Sequence, residues 1–107
     1  MSAIFITSNH DALSNETVFT DTSSGTFDVT FPSMPSLGSK VTIIDAAGSF
    51  NVNALRIISN GGKINGSAIS HLDLVFKHSV TVFYYSGVNY GWIYNITRMW
   101  AVEGGTF

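Results

Sequence analysis

The chain has 107 residues, enough for one domain, and only 11% of them are charged, against roughly 25% in an average soluble domain. Five basic and seven acidic residues leave a formal net charge of −2, and cysteine is absent. These counts exclude a basic stripe for nucleic acid, a polybasic surface for anionic lipid, and any disulfide or thiolate site. A small domain exposes much of its chain, so a surface this poor in charge predicts a component of a protein assembly.

Short runs of alternating apolar and polar residues predict β-strands along the chain. In residues 26–31, Phe27, Val29 and Phe31 share one face while polar side chains share the other, which is typical of a strand with one buried face. No stretch holds a 3.6-residue pattern long enough for a helix. The predicted strands are residues 4–6, 17–20, 26–31, 40–45, 52–58, 63–64, 71–76, 80–85 and 90–96.

Turn signals separate these runs. Asn60-Gly61-Gly62 predicts a tight turn because Asn and Gly tolerate positive φ. Residues 77–79 predict the turn of a hairpin that joins residues 71–76 to residues 80–85. Eight or nine short strands at spacings of about ten residues predict an antiparallel β-sandwich or barrel.

Several short motifs follow one another in a characteristic order over about residues 17–97. They are FTDTSSG (19–25), FDVTFP (27–32), PSLG (35–38), VTIID (41–45), GSFNVN (48–53), NGGKING (60–66), VTVFY (80–84) and GWIY (91–94). In this order they resemble a small β module of tailed-bacteriophage structural proteins, notably fibre and virion-surface proteins of phages that infect cyanobacteria. Fibre proteins embed this module in a longer chain, whereas here it stands nearly alone, with residues 86–90 in place of the usual Asp-Gly before the last strand.

The expected fold is therefore an all-β, antiparallel sandwich of jelly-roll type with about eight short strands. The resemblance implies a homotrimer that is assembled in the host cytoplasm and located in the virion. Its expected role is capsid decoration (cement) or association with a tail or fibre, and its expected partners are other virion proteins, with no nucleic acid and no membrane.

Residues that could perform chemistry are sparse. A metal site would need His10, His71 and His78 to converge, yet His10 lies in a separate N-terminal segment. The acidic residues fall on polar strand faces and at turn borders, and no cleft for paired carboxylates is predicted. Asp45 and the nearby Asn residues match no calcium-binding loop. We expect a non-enzymatic protein with no catalytic residue, no metal and no cofactor.

Aromatic residues are the expected contacts. In residues 80–85, the set that contains Tyr84, Val80 and Val82 is assigned to the core or to a subunit interface. The expected packing anchors are Phe27, Phe31, Trp92 and Tyr94, and the expected subunit contacts are Phe50, Phe83 and Tyr85.

The chain is predicted to divide into one β-sandwich domain, residues 1–97, and a C-terminal docking tail, residues 98–107. In this tail the expected virion contacts are Met99, Trp100 and Phe107. An alternative function is a carbohydrate-binding module of a tail fibre that adsorbs to a host receptor. Because aromatic rings stack on sugars, its expected glycan contacts are Tyr85, Tyr90 and Trp100.

Overall fold

The computed structural model describes residues 2–98. In this range the chain forms nine β-strands and no helix, and hence no helix long enough to cross a membrane. The all-β prediction is confirmed. The strands are β1 (Ser2–Ile6), β2 (His10–Asp11), β3 (Glu16–Thr20), β4 (Asp28–Thr30), β5 (Lys40–Asp45), β6 (Leu55–Ile58), β7 (His71–Leu74), β8 (Ser79–Tyr85) and β9 (Trp92–Arg98).

The strands form two mixed sheets, one with five strands in the order β1-β3-β5-β8-β9 and one with four in the order β2-β4-β6-β7. From β1 to β6 the chain crosses to the other sheet after every strand. As a result β1, β3 and β5 are parallel neighbours in one sheet, and β2, β4 and β6 are parallel neighbours in the other. The last three strands add antiparallel pairings at β5–β8, β6–β7 and β8–β9.

The antiparallel prediction is wrong for the four pairings among β1 to β6. A chain that crosses between two sheets after each strand returns to the first sheet in its original direction, so consecutive strands of one sheet run parallel. A jelly-roll connectivity is not confirmed. The predicted hairpin is also wrong, because β7 pairs with β6 in the four-stranded sheet whereas β8 pairs with β5 and β9 in the other.

The core lies between the two sheets and is centred on aromatic rings. Phe31 packs edge-on against Phe83 and against Trp92, with ring centroids 4.8 Å apart in both pairs. Apolar side chains from both sheets surround these rings, including Val18 and Ile57, which are fully buried. The predicted packing anchors are confirmed: Phe27, Phe31 and Trp92 are buried, and Tyr94 packs against the cluster.

Gly91 lies where two segments of backbone approach each other closely, and its φ is +69°. A methyl group at this position would overlap the carbonyl of Lys63, which accepts a hydrogen bond from the Trp92 amide at 2.8 Å. We expect Gly91→Ala to lower the free energy of unfolding by at least about 2 kcal/mol, because strain and overlap add. Urea denaturation followed by tryptophan fluorescence measures this loss.

Gly87→Ala is the matched control. Gly87 also has a positive φ, +104°, but nothing lies within 4 Å of where its Cβ would be. Gly87→Ala should lower the free energy of unfolding only by the cost of placing alanine at a positive φ, about 1 kcal/mol. Equal losses in the two variants would show that the contact with Lys63 contributes nothing.

Candidate functional site

The outward side of the five-stranded sheet is a broad apolar surface, which we call the apolar face. Strand alternation sends the buried residues of this sheet towards the core and the intervening ones outwards. Among the outward side chains of this sheet, only Lys40 is charged. The apolar face consists of Ala3, Phe5, Thr17, Phe19, Lys40, Thr42, Ile44, Val80, Val82, Tyr84, Ile93, Asn95 and Thr97.

Strand register aligns the largest side chains of the apolar face in a continuous band. Phe5 lies opposite Phe19, Phe19 opposite Ile44, and Ile44 opposite Val80, so the band crosses four strands. Phe5 is 59% exposed. With strands about 4.8 Å apart and about 3.3 Å per residue, the apolar face measures roughly 20 by 17 Å. A patch of this size is within the range of the largest apolar patch on a typical monomer, and such patches are often functional, which makes the apolar face a candidate contact surface.

The outward side of the four-stranded sheet has the opposite character, and we call it the charged face. Arg56 lies between Asp28 and Asp73 in register, and its Nε is 3.6 Å from the Asp73 carboxylate. Asp11 and His71 lie on the same side. The two outward faces of one small domain therefore differ sharply: one is suited to water, and the other is suited to a partner.

One end of the molecule carries exposed apolar side chains on three adjacent loops, and we call it the apolar loop end. Hydrogen bonds place the loops side by side: Asn15 N donates to Lys40 O, and Gly38 N donates to Tyr85 O at 2.8 Å. The exposed side chains are Leu13 (61%), Met34 (91%), Leu37 (78%), Val88 (81%) and Tyr90 (64%). Loops that remain in water seldom hold so many large apolar residues, so this end is a second candidate contact surface.

The structure places the predicted subunit contacts mainly inside the domain. Phe50 is 1% exposed and Phe83 is 0% exposed, so within this chain they leave almost no area for a neighbouring subunit. Tyr85 is half-buried, and its ring centroid lies 5.3 Å from that of Trp92. Strand β8 instead turns Val80, Val82 and Tyr84 outwards.

Of the predicted glycan contacts, Tyr85 and Tyr90 lie in the described part of the chain. Tyr85 packs towards the core, whereas Tyr90 is exposed at the apolar loop end. Trp100 lies outside the described residues, as do Met99 and Phe107 of the predicted docking tail.

The sequence analysis left Val80, Val82 and Tyr84 between core and interface and did not predict the apolar loop end, although signals for both surfaces were present. In residues 80–85 both alternating sets are largely apolar, which indicates a strand with partners on both faces. Met34, Leu37 and Val88 stand among Pro, Ser and Gly residues that are typical of exposed turns, so they were candidates for exposed apolar side chains.

Asp45 is fully buried and serves the fold. Its Oδ1 accepts a hydrogen bond from Ser49 N at 3.1 Å, and its Oδ2 accepts from Phe50 N at 3.1 Å and from His78 N at 3.0 Å. The carboxylate thus joins the turn after β5 to the turn before β8. Both of its oxygens are used by backbone donors, as expected for a structural acid.

Two further acids in the described range, Glu16 and Asp21, are also engaged in local structure. Glu16 is buried, and its Oε1 lies 2.9 Å from His10 Nε2 and accepts from Leu13 N at 3.1 Å. Hydrogen bonds from the Ser23 side chain and then from its backbone lower the pKa of the exposed Asp21 carboxyl. Within residues 2–98, no three His, Asp or Glu side chains come together as metal ligands would.

Two shallow clefts also lie on the described surface. One, of about 390 Å³, is lined by residues 58–63 and 68–70, and Lys63 is its one charged lining residue. The other, of about 380 Å³, is lined by residues 7–9 and 24–27, none of which is charged. Neither cleft presents the pair of carboxylates that glycoside hydrolysis requires.

No protein-family model matches this sequence. No curated protein matches it either. The apolar face and the apolar loop end are therefore the features from which a role can be argued.

Proposed function

We propose that this chain is a non-enzymatic structural protein of a bacteriophage virion, which acts as a homotrimeric capsid decoration (cement) protein or as a tail- or fibre-associated protein. In either position it stabilises or extends the particle surface. The observation that supports this proposal best is the contrast between the apolar face and the charged face. The phage assignment and the number of subunits rest on the sequence resemblance.

The apolar face is the proposed contact between copies. A sheet that keeps one side in water normally places polar residues on that side, as the charged face does with Arg56 and Asp73. The apolar face has Phe5, Phe19 and Ile44 in the corresponding positions. Covering them removes apolar area from water, which is the main favourable contribution to most protein association.

The size of the apolar face shows that it needs additional contacts. Its roughly 340 Å² compares with about 800 Å² that each partner buries in a typical stable interface. A face of this size alone supports weak association. A stable particle component would therefore add further contacts, and the apolar loop end, which includes Met34 and Leu37, is the proposed contact with another virion protein.

A charge placed in the centre of the apolar face tests the proposal. We expect the native chain to form an oligomer and the Ile44→Lys variant to be monomeric, because lysine would have to lose its hydration in the interface. Light scattering over a range of concentrations measures the mass, and far-UV circular dichroism checks the fold.

Ile58→Lys is the matched control, because Ile58 is also half-buried and also points outwards, but from the charged face. This variant should keep the native mass. The proposal would be wrong if the native chain stayed monomeric at every concentration, or if both lysine variants kept the same oligomer.

A carbohydrate-binding role in host adsorption is the second candidate, and the exposed ring of Tyr90 favours it. A glycan array separates the two functions. A structural subunit should bind no glycan on the array. A signal that disappears in the Tyr90→Ala variant would instead support receptor adsorption.

A further inference from the structure

Among residues 2–98, strand β1 is an edge of the five-stranded sheet with no strand paired along its outer side. Ile6 O accepts a hydrogen bond from Asp21 N beside β3, so the backbone groups of Ile6 point towards β3. Backbone directions alternate along a strand, so the amide and carbonyl groups of Ala3 and Phe5 point away from the sheet. β1 contains no proline and no charged residue, the usual features that prevent an edge strand from pairing with another chain.

Strand β9 is the opposite edge, and part of it is already covered. Trp92 N donates to Lys63 O, and Asn65 N donates to Trp92 O, both at 2.8 Å. These bonds show that the backbone groups of Trp92 point away from β8. Because backbone directions alternate along a strand, the amide and carbonyl groups of Tyr94 and Ile96 also point away from β8. They lie beyond residues 63–65, the segment that covers Trp92. The part of this edge that no other described residue covers is 94–98, which is as long as the five-residue β1. We call it the open part of β9.

The two edge strands run in the same direction. β1, β3 and β5 are parallel, β8 is antiparallel to β5, and β9 is antiparallel to β8. A two-fold axis normal to the sheet would pair β1 with β1, or β9 with β9, in antiparallel fashion and would leave the other edge open. Pairing β9 of one copy with β1 of the next is parallel and uses both edges.

We propose that copies of this chain join edge to edge, with the open part of β9 of one copy paired in parallel with β1 of the next, so that the sheet continues around a closed ring. This inference rests on the homo-oligomer of the proposed function and adds an edge contact to it: the apolar faces turn to the inside of the ring, where the copies cover them together, and the edge strands join neighbouring copies. A ring closed in this way leaves no open edge in the five-stranded sheet, and closure prevents open-ended growth.

The segment that covers Trp92 sets the register. Tyr94 is the first residue of β9 with free edge groups, because Trp92 O already accepts from Asn65 N, so residues 2–6 of the next copy align with residues 94–98. In this alignment Ala3 lies opposite Asn95, Ala3 N donates to Tyr94 O, and Ala3 O accepts from Ile96 N. In this register inward residues meet inward residues. Outward Ala3 meets outward Asn95, and outward Phe5 meets outward Thr97, so the outward side of the sheet continues from one copy to the next.

Because the chain has no cysteine, an introduced pair can report the contact. The double variant Ala3→Cys with Asn95→Cys brings two thiols within disulfide distance across the proposed pairing. We expect oxidation to give covalent multimers that end at the size of the closed ring. A mismatched double variant, Ala3→Cys with Thr97→Cys, displaces the thiols by about 7 Å along the strand. The matched pair should give on the order of tenfold more cross-linked chain.

The outcomes separate the inference from the proposed function. Multimers from the matched pair alone support ring closure through β1 and β9. Cross-linking in either single-cysteine variant would show two-fold pairing and overturn the inference. The inference would also be overturned if light scattering showed an oligomer in which the matched cysteine pair did not cross-link. The proposed function would stand in that case. A native chain that stays monomeric at all concentrations would contradict both the inference and the proposed function.

The backbone contact can be tested without a new side-chain contact. Ala3→Pro removes an amide that points away from β3, so it should leave the β1–β3 pairing intact but weaken the oligomer. Ala3→Ser keeps the amide and is the control. Equal oligomer masses for the two variants at matched concentration, with the native circular dichroism spectrum, would contradict the edge contact.

Discussion

Replacing Trp92 with alanine should lower the free energy of unfolding by about 3–5 kcal/mol, the range for removing a large buried aromatic side chain. Trp92 is 0% exposed, and its ring contacts those of Phe31 and Tyr85 at centroid distances of 4.8 and 5.3 Å. The cavity left behind would lie at the centre of the core, where both sheets meet. Urea denaturation followed by circular dichroism measures the loss, since the substitution removes a tryptophan.

Ile93→Ala is the control for this prediction. Ile93 is the next residue of β9, but it points outwards and is 42% exposed. In the monomer its replacement should cost less than about 1 kcal/mol. If the two variants unfolded at the same urea concentration, the aromatic cluster would not be the centre of stability.

Replacing Asp45 with alanine should be comparably damaging, at about 3–5 kcal/mol. The change leaves three backbone amides without their acceptor, those of Ser49, Phe50 and His78, in a site that water does not reach. Each buried donor without a partner costs about 1–3 kcal/mol. We expect a large drop in the urea midpoint and faster hydrogen exchange at these three amides.

Asp73→Ala is the matched control, with the same residue type and the same substitution. Asp73 lies on the charged face with its side chain 48% exposed, and its contact with Arg56 spans 3.6 Å. An exposed ion pair of this kind contributes about 0–1 kcal/mol. Similar losses in the two variants would mean that the buried hydrogen bonds of Asp45 contribute little.

These two predictions concern the single chain, whereas the proposed function concerns its surface. The core and the Asp45 hydrogen bonds lie on the inner side of the sheets, and the apolar face lies on the outer side. Substitutions on the apolar face should therefore change the oligomer with little effect on unfolding of the monomer. Substitutions in the core should do the reverse.

Local pattern was sufficient to predict most strands. The alternation in residues 40–45 predicts a strand, and β5 spans Lys40–Asp45. Next to turns, a predicted strand can be longer than the observed one. Residues 52–58 are predicted as one strand, but β6 begins at Leu55. The preceding residues are held in a turn in which Asn53 N donates to Ser49 O at 2.8 Å. β2 has only two residues, too few to show any period.

The choice between the two faces of a strand could not be made from the sequence. In residues 80–85 the alternation correctly separates one set with Val82 from another with Phe83. It does not indicate which set is buried, because both sets are apolar. The structure buries Phe83 against Phe31 from the other side of the core and leaves Tyr84 47% exposed.

By itself, the sequence determined that the chain is all β, where most strands and turns lie, and that its surface is unusually poor in charge, because these properties depend on composition and on residues close together in the chain. The tertiary structure alone decided the crossing between sheets, the parallel pairings, the inward side of each strand and the pairing of β7 away from β8. These depend on contacts between residues far apart in sequence, whose energies compete only once the chain is compact. The apolar face is one result, because these contacts decide which side of each strand is buried and which side is left outside.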